Sequence, residues 1–133
     1  MDQVRFIMQT LFRNTSRLLA LLLLVAFTQA CTIHYSGLID NKSGTDITIV
    51  GDSKKKPTWH VKADEKVKIQ WLFKCLEVVE GDNSYYFKAG AVPGKAREMY
   101  TVNALYREHQ LYYLLDDGSV KALDVCTEED LKK

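Results

Sequence analysis

Two hydrophobic rhythms divide the chain. Residues 18–27 read LLALLLLVAF, an unbroken apolar run of ten. Beyond the cysteine at position 31, apolar and polar residues alternate instead. Lys66-Val67-Lys68-Ile69-Gln70-Trp71 places its apolar side chains two apart, the spacing of a strand with one buried face. Asp46-Ile47-Thr48-Ile49 repeats that pattern directly after the turn signal Asn41-Lys42-Ser43-Gly44. Read this way, the chain predicts strands at residues 32–39, 46–49, 58–61, 66–71, 75–79, 85–88, 100–106, 111–115 and 120–125. Gly81-Asp82-Asn83 and Asp116-Asp117-Gly118-Ser119 mark hairpins, the second through an Asp-Gly pair suited to the positive φ angles of a tight turn. Residues 96–106 are ambiguous, because helix formers at 96–99 precede tyrosines at strand spacing. A strand over 100–106, paired with 111–115, fits better. Thr127 is placed to cap a short terminal helix containing Glu128, Glu129 and Asp130. Short strands separated by frequent turns predict an all-β fold: a small antiparallel sandwich or barrel of about eight strands.

The apolar run has a different meaning. Arg5, Arg13 and Arg17 precede it, and Thr28, Gln29 and Ala30 follow. A basic segment, an apolar segment and a small residue make up the pattern of a secretory signal peptide. Basic groups stay on the cytoplasmic side while the apolar stretch enters the bilayer. A permanent span needs about 20 apolar residues, whereas residues 18–33 already include Thr28, Gln29 and Thr32. Export with cleavage is the expectation, a retained inner-membrane anchor the alternative. Met8 offers a second initiation site.

Phe27-Thr28-Gln29-Ala30-Cys31 resembles the lipobox of bacterial lipoproteins. Ala30 fits the small position before the cysteine, while Thr28 stands where that pattern usually has an aliphatic residue. The resemblance covers only the signal and the first mature residue. It implies a diacylglyceryl group on the Cys31 sulfur, cleavage before Cys31, and acylation of the new amino terminus, typically by palmitate. Thr32 is not the Asp that favours inner-membrane retention, so the resemblance implies an outer membrane, with the protein facing the periplasm. On this reading residues 1–30 are a signal peptide and 31–133 a single lipid-anchored β domain. Each acyl methylene buried in lipid contributes about 0.8 kcal/mol, and two or three chains hold firmly where one does not.

Charge and cysteines then narrow the function. The whole chain carries 18 Lys+Arg and 17 Asp+Glu. After Cys31 there are 15 basic and 16 acidic residues, which argues against a nucleic-acid partner. With Cys31 assigned to the anchor, Cys75 and Cys126 remain. An even pair in an oxidising compartment is expected to bridge, two buried free thiols being the alternative. Closing a loop of roughly 50 residues would contribute about 4 kcal/mol.

Chemistry is sparse. His34, His60 and His109 are far apart in sequence, and no Cys-x-x-Cys or His-x-x-x-His spacing suggests a metal. Neither a nucleophile elbow nor a phosphate-cradling loop occurs, so neither catalytic residues nor a cofactor are expected. Glu77 and Glu80, three apart on a strand, face opposite sides and cannot act as a carboxylate pair. Lys54-Lys55-Lys56 reads as a solvated turn. Tyr85-Tyr86 and Tyr112-Tyr113 are more informative, since neighbouring strand residues point to opposite faces and one ring of each pair is left for contact with a partner. The expected function is a non-catalytic binding or assembly module at the envelope, with another envelope protein as partner and peptidoglycan as the alternative. The alternative is a periplasmic inhibitor of a hydrolase such as lysozyme.

Overall fold

The computed structural model describes residues 2–27 and 34–132. The chain divides into two units, Met1–Thr32 and Ile33–Lys133. The first contains helix α1 (Asp2–Phe27), which ends on the apolar run. Among the described residues no helix is long and apolar enough to cross a membrane. Cys31 lies outside the described residues.

The second unit is a β-sandwich. Its larger sheet comprises β1 (Ser36–Asn41), β4 (Lys66–Gln70), β7 (Arg97–Glu98), β8 (Thr101–Arg107), β9 (Gln110–Leu114) and β10 (Val120–Ala122). They run in the order β10-β9-β8-β1-β4, with β7 paired to the first part of β8. The smaller sheet comprises β2 (Ile47–Gly51), β3 (Thr58–Val61), β5 (Cys75–Glu80) and β6 (Asn83–Lys88), in the order β3-β2-β5-β6. Two separate sheets decide for a sandwich over a barrel. The antiparallel expectation needs one correction, since β1 and β8 run parallel, with Ile39 opposite Ala104. A parallel pair requires a long crossover, and the chain supplies one by building the smaller sheet between these two strands. The first strand also begins and ends later than its pattern implies, at Ser36–Asn41. The segment 96–99 forms no helix: Gly94–Ala96 makes a single 3-10 turn and Arg97–Glu98 pairs as a strand.

Alternation sends one set of side chains between the sheets. Ile39, Ile69, Val102, Ala104, Tyr106, Leu111 and Tyr113 from the larger sheet meet Ile47, Ile49, Val61, Leu76, Val78 and Phe87 from the smaller. Trp71 closes one end of this layer and donates its indole N–H to the Ala89 carbonyl at 3.2 Å. Gly37 is required beneath it, because a Cβ there would overlap the Trp71 ring.

Turn chemistry sets the registers. Gly81 and Asp82 join Glu80 to Asn83 with Gly81 at φ 60°, as two-residue hairpins with glycine at the first turn position do. The Asp116–Ser119 signal forms a looser loop than a two-residue turn, closed by Leu115 and Ser119 at 2.9 Å, with Gly118 at φ 83°. At the C-terminus, helix α2 (Glu128–Leu131) is capped by Thr127 and Asp130 in a reciprocal capping box. The Cys75–Cys126 disulfide ties this segment to β5.

Candidate protein-binding face

The outward face of the larger sheet sets a group of apolar side chains among polar ones. Alternation turns Leu38, Leu105, Tyr112, Leu114 and Val120 away from the core, and none of them belongs to the packed inter-sheet cluster. Leu105 is 9% exposed and the other four are half-buried. Register aligns one continuous row across five strands: Lys66 opposite Asp40, Asp40 opposite Leu105, Leu105 opposite Tyr112, and Tyr112 opposite Ala122. The Arg107 guanidinium lies over the Tyr112 ring, 5.4 Å from its centre.

Asp40 gives this row a polar centre. Its side chain is only 12% exposed, and Lys42 and Lys66 approach to 3.7 and 4.0 Å. Those distances are ion pairs beyond hydrogen-bond range. Oδ1 is buried and accepts no hydrogen bond from the described residues. A buried carboxylate oxygen without a donor costs free energy, so the row holds an acceptor that a partner's N–H or O–H could satisfy once the side chains covering it shift aside. The sequence pattern concealed Asp40 because aspartate is depleted in strands and precedes a strong turn signal, which ends the predicted strand at Ile39.

The four tyrosines singled out by sequence separate sharply. Tyr113 is buried at 4% exposure, its ring 6.1 Å from that of Trp71. Tyr85 also turns inward and stacks on His109 at 5.2 Å. Tyr112 lies in the outer row just described. Tyr86 faces outward on the smaller sheet and donates to Glu77 at 3.2 Å. Its neighbours Val50, Gly51, Asp52, Lys56, Glu77 and Leu131 enclose a shallow hollow of about 270 Å³. Burial, then the nearby Glu77 carboxylate, pushes the Tyr86 phenol above its ordinary value, so it remains a neutral hydrogen-bond donor.

The histidines do not converge. His60 meets the Thr48 hydroxyl at 3.1 Å on the outer face of the smaller sheet, while His34 is exposed before β1. His109 alone joins an acid, its Nδ1 lying 3.0 Å from Glu80 Oε2. Tyr106 donates to the same oxygen at 2.7 Å and Thr45 to Oε1 at 2.7 Å. Burial raises the Glu80 pKa, but hydrogen bonds from Thr45, Tyr106 and His109, with the His109 charge, bring it below the ordinary carboxylate range. This cluster joins the two sheets at one end of the sandwich. Glu77, on the opposite side of β5, takes no part in it. Among the described residues no group of three His, Cys, Asp or Glu is placed to hold a metal ion.

No family model, no curated protein and no solved structure matches the chain.

Proposed function

We propose that the chain is an exported lipoprotein, cleaved before Cys31, acylated there, and held at the periplasmic face of an outer membrane. Its β-sandwich acts there as a non-catalytic binding or assembly module for another envelope protein. The observation that carries the binding role is the Lys66-Asp40-Leu105-Tyr112-Ala122 row with its unsatisfied carboxylate oxygen. Aromatic side chains and Arg, here Tyr112 beneath Arg107, are what protein interfaces concentrate at their centres. The lipidation reading rests on the segment from Phe27 to Cys31 and the apolar run before it, and the disulfide suits an oxidising compartment.

The test is crosslinked capture from native envelopes by the full-length anchored protein. Wild type and Tyr86→Ser should recover the same partner, which Asp40→Leu and Tyr112→Ser should lose. No reproducible partner, or recovery indifferent to Asp40 and Tyr112, would overturn the binding role. Inhibition of lysozyme by the purified protein, unchanged by these substitutions, would replace it with the inhibitor reading. Cys31→Ser should abolish palmitate labelling; equal labelling of wild type and variant would remove the anchor from Cys31.

A further inference from the structure

One end of the sandwich carries hydrophobic residues where a soluble turn would be polar. Glu98 pairs with Thr101, so Met99 and Tyr100 are the two tip residues of a tight β7–β8 hairpin. Met99 holds φ 53° and is 82% exposed, and Tyr100 is 52% exposed. Such tips favour Asn and Gly, which adopt positive φ at little cost. A strained methionine presented to solvent has no evident part in stabilising this turn. Leu72, 47% exposed, lies at the same end, because Trp71 donates its backbone N–H to Tyr35 and Ser36 donates to Tyr100, each at 2.9 Å. Tyr35 and Tyr100 meet edge to face at 6.1 Å, and Arg97 sits over Tyr35 while donating to its hydroxyl at 3.2 Å.

The position of this cluster along the chain identifies its occupant. Tyr35 is four residues after Cys31, and an extended chain covers at most about 3.6 Å per residue. Acyl chains on Cys31 therefore enter the bilayer within roughly 15 Å of Tyr35. Tyrosine, methionine, leucine and an arginine beside aromatic rings suit the headgroup boundary, where apolar bodies enter the lipid and polar tips stay wet. From this we infer that the Met99–Tyr100 tip, with Leu72 and Tyr35, is a second membrane contact: it rests in the leaflet that holds the Cys31 acyl chains and fixes how the domain stands on the surface.

This inference rests on lipidation of Cys31, and the two are tested separately. Palmitate-labelled full-length protein is reconstituted into phosphatidylethanolamine–phosphatidylglycerol vesicles with brominated acyl chains. Tyr100→Trp and, as a second position, Met99→Trp should each lose most of the added tryptophan emission relative to unbrominated vesicles. Lys62→Trp, exposed beside Asn41 at the opposite end of β1, should keep its emission. Labelled, vesicle-bound protein with equal emission loss at all three positions overturns the membrane contact and leaves the anchor standing. Protein that takes up no palmitate overturns both.

Discussion

Glu80 joins the two layers by polar groups at a place where apolar packing has run out. Tyr106 reaches it from the larger sheet, Thr45 from the loop before β2, and His109 from the β8–β9 turn. Both turn residues there, Glu108 and His109, hold positive φ, at 50° and 62°. Left-handed backbone costs a non-glycine residue about 1–2 kcal/mol, and the strained turn is what brings His109 to Glu80 and Tyr85. Because the folded Glu80 pKa is lowered, its contribution is present above the unfolded value. It is lost as pH falls through the folded value. Glu80→Gln should therefore lose about 1–2 kcal/mol at neutral pH. Its stability should then fall less steeply than wild type's as the solution is acidified below about pH 5. Urea unfolding at a series of pH values checks this, and parallel curves for the two proteins would show that Glu80 is not linked to folding.

At the scale of elements, most strands were legible because their alternation is clean and their turns are chemically explicit. The span 58–61 appears as β3, and Thr127 caps α2. What escaped depended on pairing that periodicity does not encode. Parallel β1–β8 pairing leaves no local trace, and the two-residue β7 forms its strand pairing with Val102 and Thr101 of β8. The candidate face was half legible: Tyr112 stands out as one member of a doublet, whereas Asp40 acquires meaning only when three strands set it between Lys66 and Leu105. The C-terminal segment shows how elements are secured. The disulfide joins residues 51 apart and encloses everything from β6 to β10. Beside it Asp130 pairs with Lys74 at 3.3 Å and Lys88 at 3.2 Å. Hydrogen bonds from the Thr127 backbone and side chain, then both lysines, hold its carboxyl well below the usual range. Replacing both cysteines by alanine should cost about 2–4 kcal/mol. Amide exchange should rise first at residues 123–132, where Val125 bridges Phe87 and Cys126 donates to Tyr86. Uniform loss of protection across both sheets would instead make the bridge part of the global folding unit.

On the scale of the whole molecule, stability and recognition can be separated at Asp40. A fold that needed this carboxylate would be expected to surround it with donors, as the chain does for Asn41. That neighbouring side chain donates to the carbonyls of Thr45, Val61 and Lys62 and accepts from Ser43. Asp40 instead sits on an inner strand of the larger sheet, flanked by lysines beyond hydrogen-bond reach, and its Oδ1 accepts no hydrogen bond from the described residues. Replacing a poorly satisfied buried charge by an apolar residue of similar volume is often neutral or stabilising. Asp40→Leu should therefore raise stability by about 1 kcal/mol, read as a higher denaturant midpoint at unchanged slope. The same variant should lose the partner captured by wild type, since an added leucine extends the apolar row but cannot accept the hydrogen bond. Folding free energy given up at one buried oxygen of this face is the mark expected of a group kept for recognition. If Asp40→Leu unfolds more easily, the carboxylate belongs to the architecture through Lys42 and Lys66, and the binding row must be redrawn around Tyr112 alone.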